Sequence, residues 1–527
     1  MLTATMLLIL TTLPLAGAVM LATSMLTGHL SQENDEKKLA HVLHWIHVIS
    51  VIAWLMLVQQ SWIMADSESS PSFSLDWLAT DQLVMTFSLR SDIHGLIFSA
   101  LILFFSWLAA RFSSDYLHRE RGYFRFHTAM LLLLTAMQFI CFAASVPVTV
   151  MGWELASLAS YLLIAYNPAR DTAADNARAV YLVNRLGGLG WLLATGLLLV
   201  WSRPPYSLDW SGLAPALTEL DQSQQIIILF LLLLPVIVKS GQLPFSFWLP
   251  KAMDGPTPSS AISYGALMTH AGCYMLYRYQ PLLDNHPELR LGLVMLGLLT
   301  AFYGGACGLI QTHVKGTLVF AGITQLGCNF VLMGAGLAEL GFAHMMAHAV
   351  FRGYQFFLAP SFMAKIGDWR YTVSPPRWVA THGSFYRLCQ CGFGLEPFLV
   401  KVLVRPVEAF AGDVFRFEQR VLERIVGLPA RSLQTFSGLA EREEKLLAAG
   451  IQSSEDGYAI SGLPGKLLQY FGGALHWFED RLVIGGLGYE LWIQARSIGK
   501  ILQHGEQLFA EMRYLLLIIM ITLLLVN

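Results

Sequence analysis

Apolar runs of about twenty residues follow one another from the first residues to residue 364, separated by short polar breaks. Each run is long enough to cross the ~30 Å hydrocarbon core of a bilayer as a helix. Candidate spans fall near 4–27, 42–63, 92–110, 127–147, 149–167, 177–201, 225–248, 259–280, 291–310, 316–335 and 341–364, with a shorter run at 513–526. The pattern predicts an all-α, polytopic membrane protein of about a dozen transmembrane helices. Composition agrees. Only 13% of the 527 residues are charged and 55% are hydrophobic, against about 25% charged in soluble domains. An ordinary cytosolic enzyme and a disordered chain are both excluded. A net charge of -2 gives no electrostatic case for nucleic acid. The first run has no Lys or Arg before it, so it reads as a retained helix and not as a signal peptide.

Lysine and arginine in short loops set orientation. Lys37, Lys38, Arg111, Arg119, Arg121, Arg125, Arg170 and Lys251 fall on alternate loops, all on one side. That side should be cytoplasmic, which places the N-terminus outside and starts the tail after residue 365 in the cytoplasm. Residues 366–512 differ in kind. Ala409, Phe410, Val414, Phe417, Val421, Leu422 and Ile425 mark one helical face, and Asp413, Arg416, Gln419, Glu423 and Arg424 the other. Such a stretch lies along a membrane or a protein. The segment Phe417–Leu422 is echoed at Phe478–Val483. A docking strut and a peripheral helical cap both fit. The expected organisation is therefore N-terminal helices (1–110), a translocating core (111–365), cytoplasmic-side amphipathic helices (366–512) and a C-terminal anchor span (513–527). Cys389 and Cys391 form a C-x-C with no second ligand pair nearby, so no metal site is assigned there.

An ionisable residue inside a span costs at least about 2.5–3.5 kcal/mol, so each one asks for a partner or a function. Glu154 sits in Gly152-Trp153-Glu154 near the start of the fifth span. Lys239 follows at least ten apolar residues, and Gly241 and Pro244 come directly after it. Proline removes a backbone donor. A span broken beside a lysine exposes polar backbone to a water-filled cavity, as in transporters. The plain alternative is a Glu–Lys pair that ties two helices together. Lys315 heads the tenth span, and His344, His348 and Arg352 share one face of the eleventh. His270 lies in the eighth span, with Tyr264 on an adjoining turn. Taken singly, each histidine reads as a satisfied core residue. Taken together, these groups read as a proton relay, because histidine titrates near neutrality. A metal site is not assigned, since H-E-x-x-H is absent. His41, His44 and His47 share one face at the start of the second span, where they mark the membrane interface.

These segments carry a resemblance. Gly152-Trp153-Glu154, Lys239-Ser240-Gly241-Gln242-Leu243-Pro244, the run from Trp248 to Ala261, Ala271-Gly272-Cys273-Tyr274, Thr312–Lys315 and Met345–Ala349 occur in order over roughly residues 75–365. The chain resembles the antiporter-like membrane subunits shared by respiratory complex I and Mrp-type cation/proton antiporters. The resemblance implies a proton channel in which Glu154 and Lys239 form the charged pair of a first half-channel. Lys315 and the His344/His348 helix would connect toward a second. There are departures. Gly188 follows Arg185-Leu186-Gly187 where the family often has an acidic residue, and Tyr264 stands where it often has histidine. Arg352 stands where lysine is common, and arginine does not release a proton near neutral pH. After residue 365 no second broken span with a lysine is visible, so the second repeat reads as truncated.

A shortened subunit of this kind also resembles the membrane subunit of two-component inorganic-carbon (CO2/bicarbonate) accumulation systems of the DAB or Mps type. That resemblance implies a large soluble partner, similar to a zinc β-carbonic anhydrase, docked on the cytoplasmic face of a bacterial inner membrane. This chain would hold no cofactor and no catalytic residue; zinc would sit in the partner. One charge crossing 100 mV releases about 2.3 kcal/mol, enough to bias a near-balanced hydration. Two alternatives stand beside it: a proton-pumping subunit of a complex I-type or Mrp-type assembly, and a passive anchor that recruits a partner.

Overall fold

In the computed structural model, residues 2–26, 35–63, 72–80, 83–120, 122–167, 170–202, 206–366 and 383–417 are described. The amphipathic stretch beyond Phe417 and the anchor run at 513–526 lie outside them. Helices α1 (Leu2–Leu26), α2 (Glu36–Ile63), α3 (Ile93–Tyr116), α4 (Tyr123–Phe142), α5 (Val146–Ile164) and α6 (Asp171–Trp201) come first. A short α7 (Trp210–Thr218) precedes α8 (Gln222–Lys239). Among the described residues, nine helices are long and apolar enough to cross a membrane: α1–α6, α8, α13 (Pro287–Gly308) and α14 (Val314–Gly334). The chain is thus an all-α polytopic membrane protein. α4 is the inner helix, with 83% of its central window buried against 33% for α2 and α13, whose apolar faces point outward.

Local chemistry fixes where helices begin. The Asp92 carboxylate accepts from the Gly95 amide at 2.7 Å and caps α3. Asp221 and Gln224 form a reciprocal capping box at the start of α8. The His313 ring accepts from the Gly316 amide at 2.9 Å ahead of α14. α13 and α14 pack backbone to backbone, because a Cβ at Gly297 would come 2.6 Å from the Gly327 carbonyl.

The seventh and eighth spans depart from simple helices. α8 stops at Lys239, and the chain turns through Phe245–Phe247, α9 (Trp248–Lys251) and Ala252–Asp254. Gly241 adopts φ +60° and the Leu243–Pro244 peptide is cis. The break expected beside Lys239 within the run 225–248 therefore falls directly after the lysine. The carbonyls it leaves open are met locally: Trp248 Nε1 donates to Val238 at 2.8 Å and Ser246 Oγ to Gly241 at 2.7 Å. The eighth span is α10 (Thr257–Ser260), a π-helical stretch Ala261–Leu267, then α11 (Met268–Arg278). A short α12 (Gln280–Leu283) leads to α13, and α15 (Ala338–Ile366) follows α14.

The sequence reading did not include a β-hairpin. Strands β1 (Ser72–Ala79) and β2 (Leu83–Arg90) pair antiparallel, with Ser74 opposite Ser88 and a bulge between Asp76 and Leu78. β3 (Tyr206–Ser207) runs parallel to β2. The hairpin rests on α4 through Phe87 and Phe139, 6.0 Å between ring centroids. Thr86 and Ser88 donate to Asp209 at 2.6 and 2.8 Å.

One compact unit runs through Val404, and a second begins at Arg405. Beyond residue 366 the first unit includes α16 (Gly383–Gln390) and α17 (Leu395–Leu399). Phe393 packs on Tyr303 at 5.8 Å, and Glu396 pairs with Lys251 at 2.8 Å. The described part of the second unit is the helix α18 (Arg405–Phe417), with Phe410, Val414 and Phe417 exposed. The expected amphipathic helix thus forms as far as Phe417.

Candidate functional site

Lys239 is the last residue of α8 and is fully buried. The negative end of the helix macrodipole favours a cation there. Its ammonium donates to the Trp153 carbonyl at 3.1 Å and to Ser157 Oγ at 2.8 Å. It also stands 4.7 Å from the centre of the Trp153 ring, a cation–π contact in a desolvated setting. α5 therefore supplies the whole cradle: a carbonyl, a hydroxyl and an aromatic face within one turn.

Glu154 also lies on α5, and its carboxylate forms an ion pair with Arg185 of α6. The expected charged pair is thus a group of three, with Arg185 on the carboxylate and Lys239 bonded to the carbonyl of the preceding residue. The glycines of Arg185-Leu186-Gly187-Gly188 explain the fit. A Cβ at Gly187 would come 2.7 Å from Val238, so glycine lets α6 approach α8. A Cβ at Gly188 would come 2.6 Å from Glu154 Oε1. An acidic side chain at 188 would occupy the space that the Glu154 carboxylate fills.

One turn beyond Ser157, Ser160 bonds the Tyr264 hydroxyl at 2.7 Å. Tyr264 belongs to the π-helical stretch, where a residue's neighbours shift by one position relative to an α-helix. Thr269 Oγ1 donates to the Tyr264 carbonyl at 3.1 Å and lies 3.4 Å from His270 Nδ1. His270 Nε2 meets His348 Nδ1 at 2.9 Å, and His348 stacks on His344 with 6.1 Å between centroids. His344 Nε2 reaches the Gln325 carbonyl at 3.3 Å. Arg352, one turn past His348, is buried and donates to Gln355 at 2.8 Å. A file of polar groups therefore runs from Arg185 and Glu154 past Lys239, Ser157, Ser160, Tyr264 and His270 to His348 and His344.

Lys315 stands apart from that file. Its ammonium lies 3.4 Å from the Gly255 carbonyl, in the turn that follows Asp254. Asp254 accepts from Asn176 at 2.6 Å, and Asn176 in turn accepts from Lys251 at 3.1 Å. Lys315 thus joins a polar cluster built on the loop between the two broken spans. Pro244 lies in the turn that follows Lys239, ahead of Phe245–Phe247. Trp153, Ser157, Ser160 and Thr269 were not singled out as functional from sequence. The signal was present for three of them: Trp153, Ser157 and Ser160 follow the i, i+4, i+7 spacing that sets them on one face of α5.

Chemically, the file alternates fixed charges with groups that give and take protons. Arg185 and Arg352 hold positive charge at all relevant pH. The serine and tyrosine hydroxyls both donate and accept, so they can bridge a lysine to an imidazole. Each imidazole can receive a proton on one nitrogen and release one from the other.

Two family models match this chain. One, described as "NADH:quinone oxidoreductase/Mrp antiporter, TM", covers residues 143–374. The other, described as "NADH-Ubiquinone oxidoreductase (complex I), chain 5 N-terminus", covers residues 77–127. Among curated relatives, NAD(P)H-quinone oxidoreductase chain 5 of Picosynechococcus sp. is 30% identical over 353 residues, which are 65% of this chain and 52% of the relative. NADH-ubiquinone oxidoreductase chain 5 of Mus musculus is 30% identical over 298 residues, 55% of this chain and 47% of the relative. The chain spans about half the length of the curated relatives it matches. Among solved structures, that of the Mrp complex from Dietzia sp. DQ12-45-1b aligns with a TM-score of 0.55 at 27% identity, over 66% of this chain and 37% of that one. The first family model contains every titratable group of the polar file.

Proposed function

Because the chain belongs to the antiporter-like membrane subunits of complex I and Mrp antiporters, we propose that it conducts protons across a bacterial inner membrane as one subunit of a larger assembly. The observation that carries this reading is the succession of buried polar pairs Lys239–Ser157, Ser160–Tyr264 and His270–His348. Burying that many polar and charged groups inside a membrane protein is costly, and such groups mark ion pathways and proton relays. Protons would pass between Lys239 and the imidazoles through the Ser157, Ser160 and Tyr264 hydroxyls and intervening water. Glu154, held by Arg185, would set the electrostatic balance at Lys239. The chain would do no covalent chemistry itself.

We further propose that the flux drives a soluble partner similar to a zinc β-carbonic anhydrase, so that CO2 hydration becomes vectorial and bicarbonate accumulates. This finer reading is favoured by the amphipathic residues after 366, which stand where a second broken span with a lysine would otherwise follow, and by the exposed apolar face of α18. The second reading, a subunit of a complex I-type or Mrp-type pump, is favoured by the relatives' names.

Two experiments test these readings. In proteoliposomes holding the assembled complex under an imposed membrane potential, Lys239→Ala should lower proton flux at least about tenfold, a barrier raised by about 1.4 kcal/mol. Normal flux would remove the relay. Purification from the native membrane followed by metal analysis should recover a large soluble protein containing zinc. Recovery of flavin and iron–sulfur subunits instead would decide for the pump.

A further inference from the structure

The proton file leaves a second set of polar groups unused, on α2, α3 and α4. A cavity of about 290 Å³ opens between the first turns of α2 and the last turns of α3. It is lined by His41, His44, His47, Trp107, Arg111 and Ser114. His41, His44 and Arg111 are exposed at its mouth, while His47 is 4% exposed. His47 Nδ1 donates to the Leu43 carbonyl at 2.7 Å, since a carbonyl can only accept. Its Nε2 is buried and has no partner among the described residues.

Further groups share that condition. Ser50 Oγ, one turn along α2, and Ser106 Oγ, one turn below the cavity on α3, are buried without a hydrogen-bond partner among the described residues. Serines within apolar helices ordinarily bond back to the carbonyl four residues earlier, as Ser113 does here at 2.6 Å. These two do not. His127 on α4 is wholly buried, lies within electrostatic range of His47, and has both ring nitrogens unpartnered. Gln138 accepts from Ser99 at 2.8 Å, and its amide nitrogen is unpartnered. Ser99 and Ser106 are seven residues apart on α3, and His127 and Gln138 eleven apart on α4, so each pair shares a helix face. Leaving a buried donor or acceptor unmet costs about 1–3 kcal/mol. Six such atoms in one three-helix region call for a common small polar occupant, and buried waters supply it in polar sites of sufficient size.

We propose that α2, α3 and α4 enclose a water-filled well that opens between His41, His44 and Arg111, runs beside His127 and past His47 and Ser106, and reaches Gln138, a second route for water and protons into the membrane domain. The well is separate from the Lys239–His348 file and does not depend on it.

Access to small cations tests the well. In the full chain within its assembly, Ser106→Cys and Ser50→Cys are near-isosteric replacements. Ag+, a thiophilic ion small enough for a narrow aqueous passage, should protect both thiols from later alkylation after denaturation. Protection is read by peptide mass spectrometry, with Ag+ added from the side of the Arg111 mouth. Leu101→Cys, buried on another face of α3, should stay unprotected. At fixed Ag+, protection of residues 106 and 50 should exceed that of residue 101 at least tenfold. If 106 and 50 are no better protected than 101 in a folded assembly, the well is dry and the proposal is overturned. Lys239→Ala should leave the protection pattern unchanged; its loss there would show the two routes to be one.

Discussion

At the scale of single residues, the site depends as much on atoms that are missing as on those present. Gly188 is the clearest case. A methyl group there would stand 2.6 Å from the Glu154 carboxylate, so Gly188→Ala must either displace Glu154 from Arg185 or push α6 away from α5. Overpacking of this kind costs about 1–3 kcal/mol. The expected outcome is a complex that still assembles, with a lower melting temperature and reduced proton flux. Glu154→Gln should reduce flux without the steric effect. Unchanged melting and flux in Gly188→Ala would show that the carboxylate has room to move. Residue chemistry also separates the roles along the file. Lysine and histidine side chains can exchange protons, whereas the Arg185 and Arg352 guanidinium groups stay charged.

At the scale of elements, the π-helical stretch Ala261–Leu267 decides which groups meet. It sets the register between Tyr264, which faces Ser160 on α5, and His270, which faces His348 on α15. A single-residue deletion of Ala266 would favour α-helical hydrogen bonding and rotate α11 by about 100° relative to Tyr264. His270 would then lose His348. Proton flux should fall to near the Lys239→Ala level while the protein remains membrane-inserted; retained flux would mean that the His270–His348 contact is not used. The break after Lys239 works in a similar way. By ending α8 at the lysine, it places the ammonium at the favourable end of the helix dipole, against the carbonyl and hydroxyl of α5.

At the scale of the whole molecule, the distribution of Lys and Arg predicts which face is cytoplasmic. Lys37 and Lys38 lie in the first turn of α2, and Lys38 is mostly exposed although paired with Asp35. With the N-terminus outside, trypsin should cut after Lys37 or Lys38 in inside-out membrane vesicles and leave the site intact in right-side-out ones. The reverse pattern would invert the orientation, and with it the face on which the proposed well opens and the partner docks. The Lys251–Glu396 pair and the Phe393–Tyr303 contact tie the segment after residue 383 to the membrane domain.

The apolar runs by themselves determined that this chain is a bundle of membrane-spanning helices, because runs of about twenty residues match a spanning helix and are about twice the length of a barrel strand. The cost of a charge in that setting singled out Glu154, Lys239, His270, His344 and His348 before any fold was known. Tertiary structure alone decided their partners. That Glu154 meets Arg185, that Lys239 rests on Ser157, and that Lys315 joins Asn176, Lys251 and Asp254 near Gly255 instead of the histidines all depend on which helix faces which. The hairpin at 72–90 and the orphaned polar atoms around His127 were hidden for the same reason. A serine or histidine in an apolar run looks alike whether it meets a partner or water, and only packing between distant segments distinguishes the two.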